Sequence, residues 1–340
     1  SAHAAAGEST TTTAAPNGPP SPTGTTRRVA TGPGTSIVSM ELMDHVGESF
    51  PEAHLDVEGM TALAEAGHTI YGFDIVMPLF SVWHESAALG CPVDWGRRDM
   101  MPDCNTPIWK DDTDVRIPRD LLSRPGCRVP LESIAELTRR LGDDAVVCGK
   151  VFGPWTLGYH VFGVENFLIN TLLEPDMVKR AMERLKTVTL TFARAQIEAG
   201  ADCLLLGDHA TRDLCSPDAY REFLAETHAE LTERIDVPLI LHICGDTSDR
   251  IDAIAATGIP CFHWDTKLGT AADARRLAGP DMTLMGGVTN PGVLATEGMA
   301  EEVERQVSDA IDADIDIIAP ECAVSLGTPM ENMKAIARAA

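Results

Sequence analysis

Basic residues and long apolar runs are both scarce in this chain. Only 27 basic residues stand against 51 acidic ones, which gives a formal net charge of -24 over 340 residues. Such a chain would be repelled by a nucleic-acid backbone and by an anionic membrane surface, so neither is expected as a general partner. No run of about 18 apolar residues occurs, and no membrane span is therefore expected.

Signals of export and of nucleotide binding are also missing. The first residues lack the basic-then-apolar order of a secretory signal, so we expect a cytoplasmic location. Nine cysteines, an odd number scattered through a long chain, indicate reduced thiols rather than a disulfide framework. Neither G-x-G-x-x-G nor G-x-x-x-x-G-K-[ST] follows a predicted strand, which disfavours dinucleotide or nucleotide chemistry.

Composition divides the chain into two parts. Residues 1–34 are rich in Ala, Thr, Pro and Gly and carry almost no large apolar side chains. They cannot bury enough surface to offset the entropy of ordering, so we expect a flexible, low-complexity segment there. A hydrophobic fraction of 44% can supply a large core but does not decide between one domain and two. Room for eight strand-helix units after this segment predicts a single domain over residues 35–340.

Helical and strand patterns alternate through this domain. Amphipathic periodicity predicts two clear helices, in "DVEGMTALAEAGHTIYG" and "PDMVKRAMERLKTVTLTFARAQIEAG". Short apolar runs predict six strands that are buried on both faces: "DAVVCGKVFG", "ADCLLLGD", "VPLILHIC", "IPCFHWD", "MTLMGGV" and "IDIIAPEC". Repeated strand-then-helix units with room for eight predict an α/β fold, a (β/α)8 barrel, with an open doubly wound sheet as the alternative.

Metal-binding residue types lie at the ends of two predicted strands, where the functional loops of a barrel are found. The stretch "VPLILHICGDT" ends in His242 and Cys244, and residues i and i+2 of a strand point to the same side. Cys322 ends "IDIIAPEC". One imidazole and two thiolates suit an open, tetrahedral zinc site. The alternative is that strand cysteines are small apolar fillers, as we expect of three others: Cys148, Cys203 and Cys261.

Several motifs resemble the uroporphyrinogen decarboxylase superfamily in order and spacing. They are "FPEAH" at 50–54, "HESAALGCPVDWG" at 84–96, "GPWTLGYHVFG" at 153–163, "HICGDT" at 242–247, "GGVTNPGVL" at 286–294 and "PECAVSLGTPMENMKAI" at 320–336. The H-x-C-G motif with the later cysteine resembles the methylcobalamin:coenzyme M methyltransferase branch. One departure is the start of the fold, where "TTRRVATGPG" stands in place of an Asp-Arg-x-Pro-Val strand.

The resemblance implies a barrel of the uroporphyrinogen decarboxylase type with zinc bound by His242, Cys244 and Cys322. It also implies that a methyl group passes from methylcobalamin, carried by a partner corrinoid protein, to coenzyme M, as in the one-carbon metabolism of methanogenesis. Zinc suits this chemistry because it removes the proton of a thiol while leaving the sulfur nucleophilic.

A fourth zinc ligand and an anchor for the substrate are less well defined. Asp265 is the first candidate for the ligand, ahead of Glu321 and His263, with helix capping as its alternative role. The sulfonate of coenzyme M needs a partner as well. Lys150, Lys267 or backbone N–H groups at a helix start are candidates, and the sequence does not choose among them.

Two other acidic residues are candidates for the substrate pocket. Glu85 lies in "HESAALG" and is expected at the pocket mouth, unless it is an ordinary first-turn acid stabilised by the helix dipole. Asp208, followed by His209, comes directly after a predicted strand, where a pocket role and a capping role are both open.

Three other functions compete with thiol methylation. A methyltransferase that moves methyl from a methoxy, methylamine or halide donor onto a corrinoid protein would use a related fold and the same metal. A tetrapyrrole decarboxylase would need clustered arginines and would leave a zinc dithiolate without a task. A zinc-stabilised scaffold or corrinoid-binding module would close its metal with four protein ligands, whereas three are evident here.

Overall fold

Eight strands alternate with helices in the structure of this chain, a computed structural model that describes residues 28–340. The strands are β1 (Ala30–Thr31), β2 (Ile75–Val76), β3 (Val146–Phe152), β4 (Cys203–Gly207), β5 (Leu239–His242), β6 (Cys261–His263), β7 (Thr283–Val288) and β8 (Ile317–Pro320). The six strands predicted from the apolar runs are β3 to β8, and all six are confirmed.

The strands form one parallel sheet that curves into a nearly closed barrel. Their order is β1-β8-β7-β6-β5-β4-β3-β2, and every hydrogen-bonded pair is parallel. Asp74 joins the two ends of this order. Its N–H donates to Thr31 O (3.1 Å), and its carboxylate accepts from Thr31 N–H (2.8 Å). The predicted (β/α)8 fold is confirmed.

Helices surround the sheet. They are α1 (Met40–Val46), α2 (Val57–Thr69), α3 (His84–Leu89), α4 (Pro125–Leu141), α5 (Pro154–Phe162), α6 (Val164–Leu173), α7 (Pro175–Glu198), α8 (Pro217–Ala219), α9 (Ala225–Arg234), α10 (Ile251–Ala256), α11 (Ala271–Ala278), α12 (Ala300–Asp312) and α13 (Met330–Ala339). The two helices predicted by periodicity are α2 and α7. No helix within residues 28–340 is long and apolar enough to cross a membrane.

Two apolar layers result from the alternation of side chains along the strands. One set points inward and fills the barrel: Ile75, Met77, Cys148, Cys203, Leu205, Ile240, Cys261, Met285 and Ala319. The intervening residues, such as Leu204 and Leu241, belong to the larger cluster that packs against the helices. Three cysteines therefore fill the barrel interior, as expected from the sequence.

The first strand lies earlier in the chain than the sequence analysis placed the start of the domain. Strand β1 pairs with β8 through Ala30 and Thr31, within the "TTRRVATGPG" stretch and before residue 35. A strand of two residues carries too short an apolar pattern to be recognised. The rest of the predicted low-complexity segment, residues 1–27, lies outside the described residues.

Candidate metal centre

The carboxyl ends of β5 and β8 bring the three predicted ligands together. Ile240 lies in the barrel interior, so alternation directs His242 to the same side, and Cys244 follows two residues later. Gly245 then turns the chain with a φ of 82°. A Cβ at this glycine would lie 2.4 Å from Thr211 Oγ1, so the turn has no room for a side chain.

The donor atoms are close enough to share one ion. His242 Nε2 lies 3.0 Å from Cys244 Sγ, and Cys244 Sγ lies 3.4 Å from Cys322 Sγ. All three donor atoms lie within 4.8 Å of one another, and no other trio of His, Cys, Asp or Glu residues within 28–340 does so. Cys322 comes from the turn after β8, so two strands supply the three side chains.

Hydrogen bonding orients the imidazole for metal binding. His242 Nδ1 lies 3.2 Å from the carbonyl oxygen of His263, which only accepts, so Nδ1 carries the proton. Nε2 is then left with a free electron pair that faces the thiols. An imidazole that donates its distal N–H to a backbone carbonyl is the usual arrangement around a metal-bound histidine.

The spacing of the donors fits zinc. Zinc bonds of about 2.3 Å to sulfur and about 2.0 Å to nitrogen give tetrahedral edges of about 3.5 to 3.8 Å. The observed separations of 3.0 Å (N–S) and 3.4 Å (S–S) need to widen by less than about 1 Å. Three N/S donors leave one position of a tetrahedron open, as in catalytic rather than structural sites.

Proximity makes the two thiols unequal acids. The hydrogen bond from Cys244, with a further contribution from His242, holds the pKa of Cys322 well below its ordinary value. The same contact and burial raise the pKa of Cys244. One thiolate is thus stabilised before any cation arrives, and a divalent cation would supply the charge that stabilises the second.

The sulfurs and the imidazole line a cavity of about 160 Å³. Its other walls are largely apolar or aromatic: Phe80, Val82, Met101, Pro102, Phe152, Leu205 and Ala323. Lys150 and His209 also line it, together with Thr35, whose Oγ1 lies 3.8 Å from Cys322 Sγ. Burial lowers the pKa of Lys150 to about 8.

Residues 29–340 match the protein family described as uroporphyrinogen decarboxylase (URO-D). The chain belongs to the uroporphyrinogen decarboxylase family. The chain is 30% identical to the methylcobamide:CoM methyltransferase MtaA of Methanosarcina barkeri over 307 residues. This alignment covers 90% of this chain and 90% of that protein. It is 32% identical to the methylated-thiol–coenzyme M methyltransferase of Methanosarcina mazei over 300 residues. That alignment covers 88% of this chain and 81% of that protein.

A solved structure supports the same assignment. A methyltransferase from Methanosarcina mazei superimposes with a TM-score of 0.88 at 30% identity, covering 92% of this chain and 93% of that one. The predicted family and the barrel of uroporphyrinogen decarboxylase type are therefore confirmed.

The residues proposed as a fourth ligand lie outside the donor group in this family member. Asp265 instead caps the 3-10 turn Thr266–Leu268 by accepting from Lys267 N–H (2.9 Å), and it also accepts from Gly245 N–H (2.8 Å). Its carboxylate thus fixes the turn that carries Cys244. Glu321 accepts from Asn290 N–H (2.7 Å), and His263 Nε2 donates to Pro320 O (2.8 Å).

The two acidic pocket candidates are buried in the protein and do not line the cavity. Glu85 is fully buried, and its Oε1 accepts from Phe152 N–H (2.8 Å). Burial raises the pKa of Glu85 to about 7. Asp208 accepts from Thr156 N–H (2.8 Å) and from His228 Nε2 (3.1 Å), so it caps helix α5 from a neighbouring strand end. Capping was the alternative role considered for Asp208.

Sequence reasoning missed Thr35 and the apolar cover of the cavity. Thr35 contacts Cys322 across 287 positions of sequence, a contact that no local pattern reveals. Met101 and Pro102 belong to an irregular segment between α3 and α4, where neither a 3.6-residue nor a 2-residue period marks side chains as buried.

Proposed function

We propose that this protein transfers a methyl group from a methylated corrinoid, held by a partner protein, to a small thiol, and that the thiol is coenzyme M. The observation that carries this proposal is the convergence of His242, Cys244 and Cys322 on a small cavity. The relatives from Methanosarcina barkeri and Methanosarcina mazei add support, since both are named as coenzyme M methyltransferases.

The three side chains would hold zinc. Zinc bound there would lower the pKa of a coordinated thiol and keep its sulfur nucleophilic. His242 would bind through Nε2, because its Nδ1–H donates to His263 O. Cys244 and Cys322 contribute one negative charge each and leave one coordination position for the substrate.

The transfer itself is a substitution at the methyl carbon. The substrate thiol releases its proton to water, and the sulfur electron pair forms the new S–C bond. The cobalt–carbon bond breaks, and its electron pair stays on the cobalt, which leaves Co(I). The protein excludes water from this reaction through the apolar walls that Phe80, Met101 and Phe152 provide around the sulfurs.

Cavity size distinguishes thiol methylation from tetrapyrrole decarboxylation. Cavities for drug-sized ligands occupy about 300 to 1,000 Å³, and about 160 Å³ is enough only for a smaller molecule. No arginine among the described residues lines this cavity, although a polycarboxylate would require several cations. A second cavity of about 460 Å³ is lined by Trp83 and His160 and shares His209 with the first, but none of the three donor residues lines it.

The direct test is anaerobic absorbance spectroscopy of methylcobalamin mixed with the zinc-loaded protein and coenzyme M. We expect the methyl–cobalt spectrum to be lost at a rate that falls to background after treatment with a chelator and returns when zinc is restored. An unchanged spectrum, with zinc confirmed in the protein, would refute thiol methylation.

A second candidate is the demethylation of a methylated thiol. It is favoured by the name of the Methanosarcina mazei relative, which includes a methylated thiol as well as coenzyme M. The same metal centre would activate the donor sulfur. The methyl group would pass to Co(I) as the S–C bond breaks, and the sulfur would leave as a thiolate. Incubation with reduced cobalamin and dimethyl sulfide would then produce the methyl–cobalt spectrum, and no such product would dismiss this candidate.

A further inference from the structure

A buried cation forms part of the wall around the sulfurs. Lys150 lies on β3, two residues after Cys148, which points into the barrel interior. Alternation along the strand carries Lys150 to the same side, and its side chain lines the cavity. Lys150 is only 2% exposed, so its side chain is shielded from bulk solvent.

A single residue connects this ammonium to the metal-ligand sulfurs. Lys150 Nζ donates to Thr35 O (2.8 Å), while Thr35 Oγ1 lies 3.8 Å from Cys322 Sγ. The ammonium and the sulfur are therefore neighbours of the same threonine. A molecule of a few heavy atoms in this cavity can contact both.

The charge of Lys150 has no anionic partner at contact distance. Within residues 28–340, Lys150 Nζ forms no salt bridge with a carboxylate, and it donates its hydrogen bond to Thr35 O. Glu85 and Cys322 act on it electrostatically from beyond contact distance, and the Glu85 Oε1 is engaged by Phe152 N–H. An ammonium buried in this way carries a large desolvation cost that an anionic ligand would offset.

We propose that Lys150 binds the acidic group of the thiol substrate, so that the site selects small thiols with a sulfonate or carboxylate. This inference rests on the proposed function. Zinc, two cysteinates and a neutral imidazole sum to zero charge, and the bound substrate adds two negative charges. Lys150 offsets one of them in a cavity where screening by water is weak.

The rival cation, Lys267, is placed differently. Its side chain is 64% exposed and pairs with Asp265 at 3.2 Å, and it does not line the cavity. Exposed ion pairs of this kind contribute little, and its charge is already engaged. The structure thus separates the two lysines that the sequence left as alternatives.

The test compares Lys150→Met, which keeps the length of the side chain without its charge, with Lys267→Met as the matched control. Both zinc-loaded variants are assayed with methylcobalamin and three thiols: 2-mercaptoethanesulfonate, 3-mercaptopropionate and the neutral 2-mercaptoethanol. Calorimetric titration with ethanesulfonate, which has no thiol, measures the anion subsite without turnover. Zinc content and circular dichroism confirm that each variant is folded and loaded.

We expect Lys150→Met to raise KM for the sulfonate thiol by about 10- to 100-fold, which is the strength of one charge-assisted hydrogen bond. Its activity with 2-mercaptoethanol, which has no acidic group, should fall much less than its activity with the sulfonate thiol. Ethanesulfonate binding should weaken by a similar factor. Lys267→Met should keep the preference of the parent protein for acidic thiols over 2-mercaptoethanol. A carboxylate thiol that binds as well as the sulfonate would show that the subsite recognises charge rather than sulfonate geometry.

Failure of this inference is distinct from failure of the proposed function. If the parent methylates thiols but Lys150→Met affects acidic and neutral thiols equally, the anion subsite is refuted and the methyltransferase stands. If the parent methylates no thiol, the proposed function falls. Ethanesulfonate binding to the parent that Lys150→Met abolishes would then still support the subsite, and equal or absent binding would refute it.

Discussion

Position on the strand divides the cysteines by role. Cys148, Cys203 and Cys261 lie within strands and fill the barrel, whereas Cys244 and Cys322 follow strand ends and face the cavity. Within residues 28–340, these buried strand thiols belong to no group of three donors that could hold a metal, so they serve to fill the barrel. A thiol in a turn beside an imidazole offers a ligand.

Cys244→Ala and Cys322→Ala should each abolish stoichiometric zinc binding and methyl transfer together, because two donors hold zinc far less tightly than three. Circular dichroism should show an intact barrel. Cys261→Ala, which removes a buried thiol elsewhere in the barrel, should keep zinc and activity. Metal analysis by mass spectrometry checks this prediction, and a zinc-free Cys322→Ala with full activity would contradict it.

Glu85 should make stability depend on pH. Burial raises its pKa from 4.5 to about 7. Between these values the unfolded chain releases the proton and the folded chain keeps it, so folded-state stability is lost as pH rises through this window. Glu85→Gln removes the titration and keeps the acceptor for Phe152 N–H.

The unfolding free energy of Glu85→Gln relative to the parent should therefore rise by up to about 3 kcal/mol between about pH 5 and about pH 8. Urea denaturation at both pH values measures the difference. A difference that does not change with pH would show that Glu85 titrates near its ordinary value.

At the scale of elements, one buried carboxylate fixes the start of a helix. Helix α5 begins at Pro154 after Gly153, with no side-chain cap of its own, and Asp208 at the end of β4 accepts its Thr156 N–H. A Cβ at Gly153 would lie 2.1 Å from Asp208 Oδ2, so the absence of a side chain there permits this cap.

Asp208→Ala should lower the unfolding free energy by about 3 kcal/mol, because Thr156 and His228 would lose a buried, charged partner. Asp111→Ala, which removes a capping carboxylate from an exposed turn, is the control and should have little effect. Chemical denaturation of the parent and both variants measures these changes in unfolding free energy. Equal effects would mean that the buried cap contributes no more than an exposed one.

The same elements show what the sequence could and could not predict. Strands β3 to β8 were legible because each has several consecutive apolar residues, whereas β1 and β2 have two residues each. His242, Cys244 and Cys322 were identified because residue type, strand position and family resemblance agreed. Asp265 was ambiguous because a cap and a metal ligand use the same carboxylate, and no local pattern shows that this carboxylate accepts from Lys267 N–H and Gly245 N–H.

For the whole molecule, the net charge of -24 should make stability sensitive to salt. Repulsion among surface carboxylates opposes the compact state, and dissolved ions screen it. The melting temperature should rise by several degrees as NaCl increases from about 0.05 M to about 0.5 M. Differential scanning calorimetry measures this. A melting temperature that falls with salt would mean that surface ion pairs outweigh the repulsion.

The separation of 3.4 Å between Cys244 Sγ and Cys322 Sγ also makes the two thiols susceptible to oxidation by air. Two thiols this close, one of them easily ionised, can surrender two electrons and two protons to dioxygen and become a covalent bridge. Such a disulfide would link the turn after β5 to the turn after β8, and His242 would be the only one of the three donors still able to bind a metal. Zinc bound to the two sulfurs would thus protect them from oxidation. A sample stored without zinc would need a reductant before it could bind the metal again.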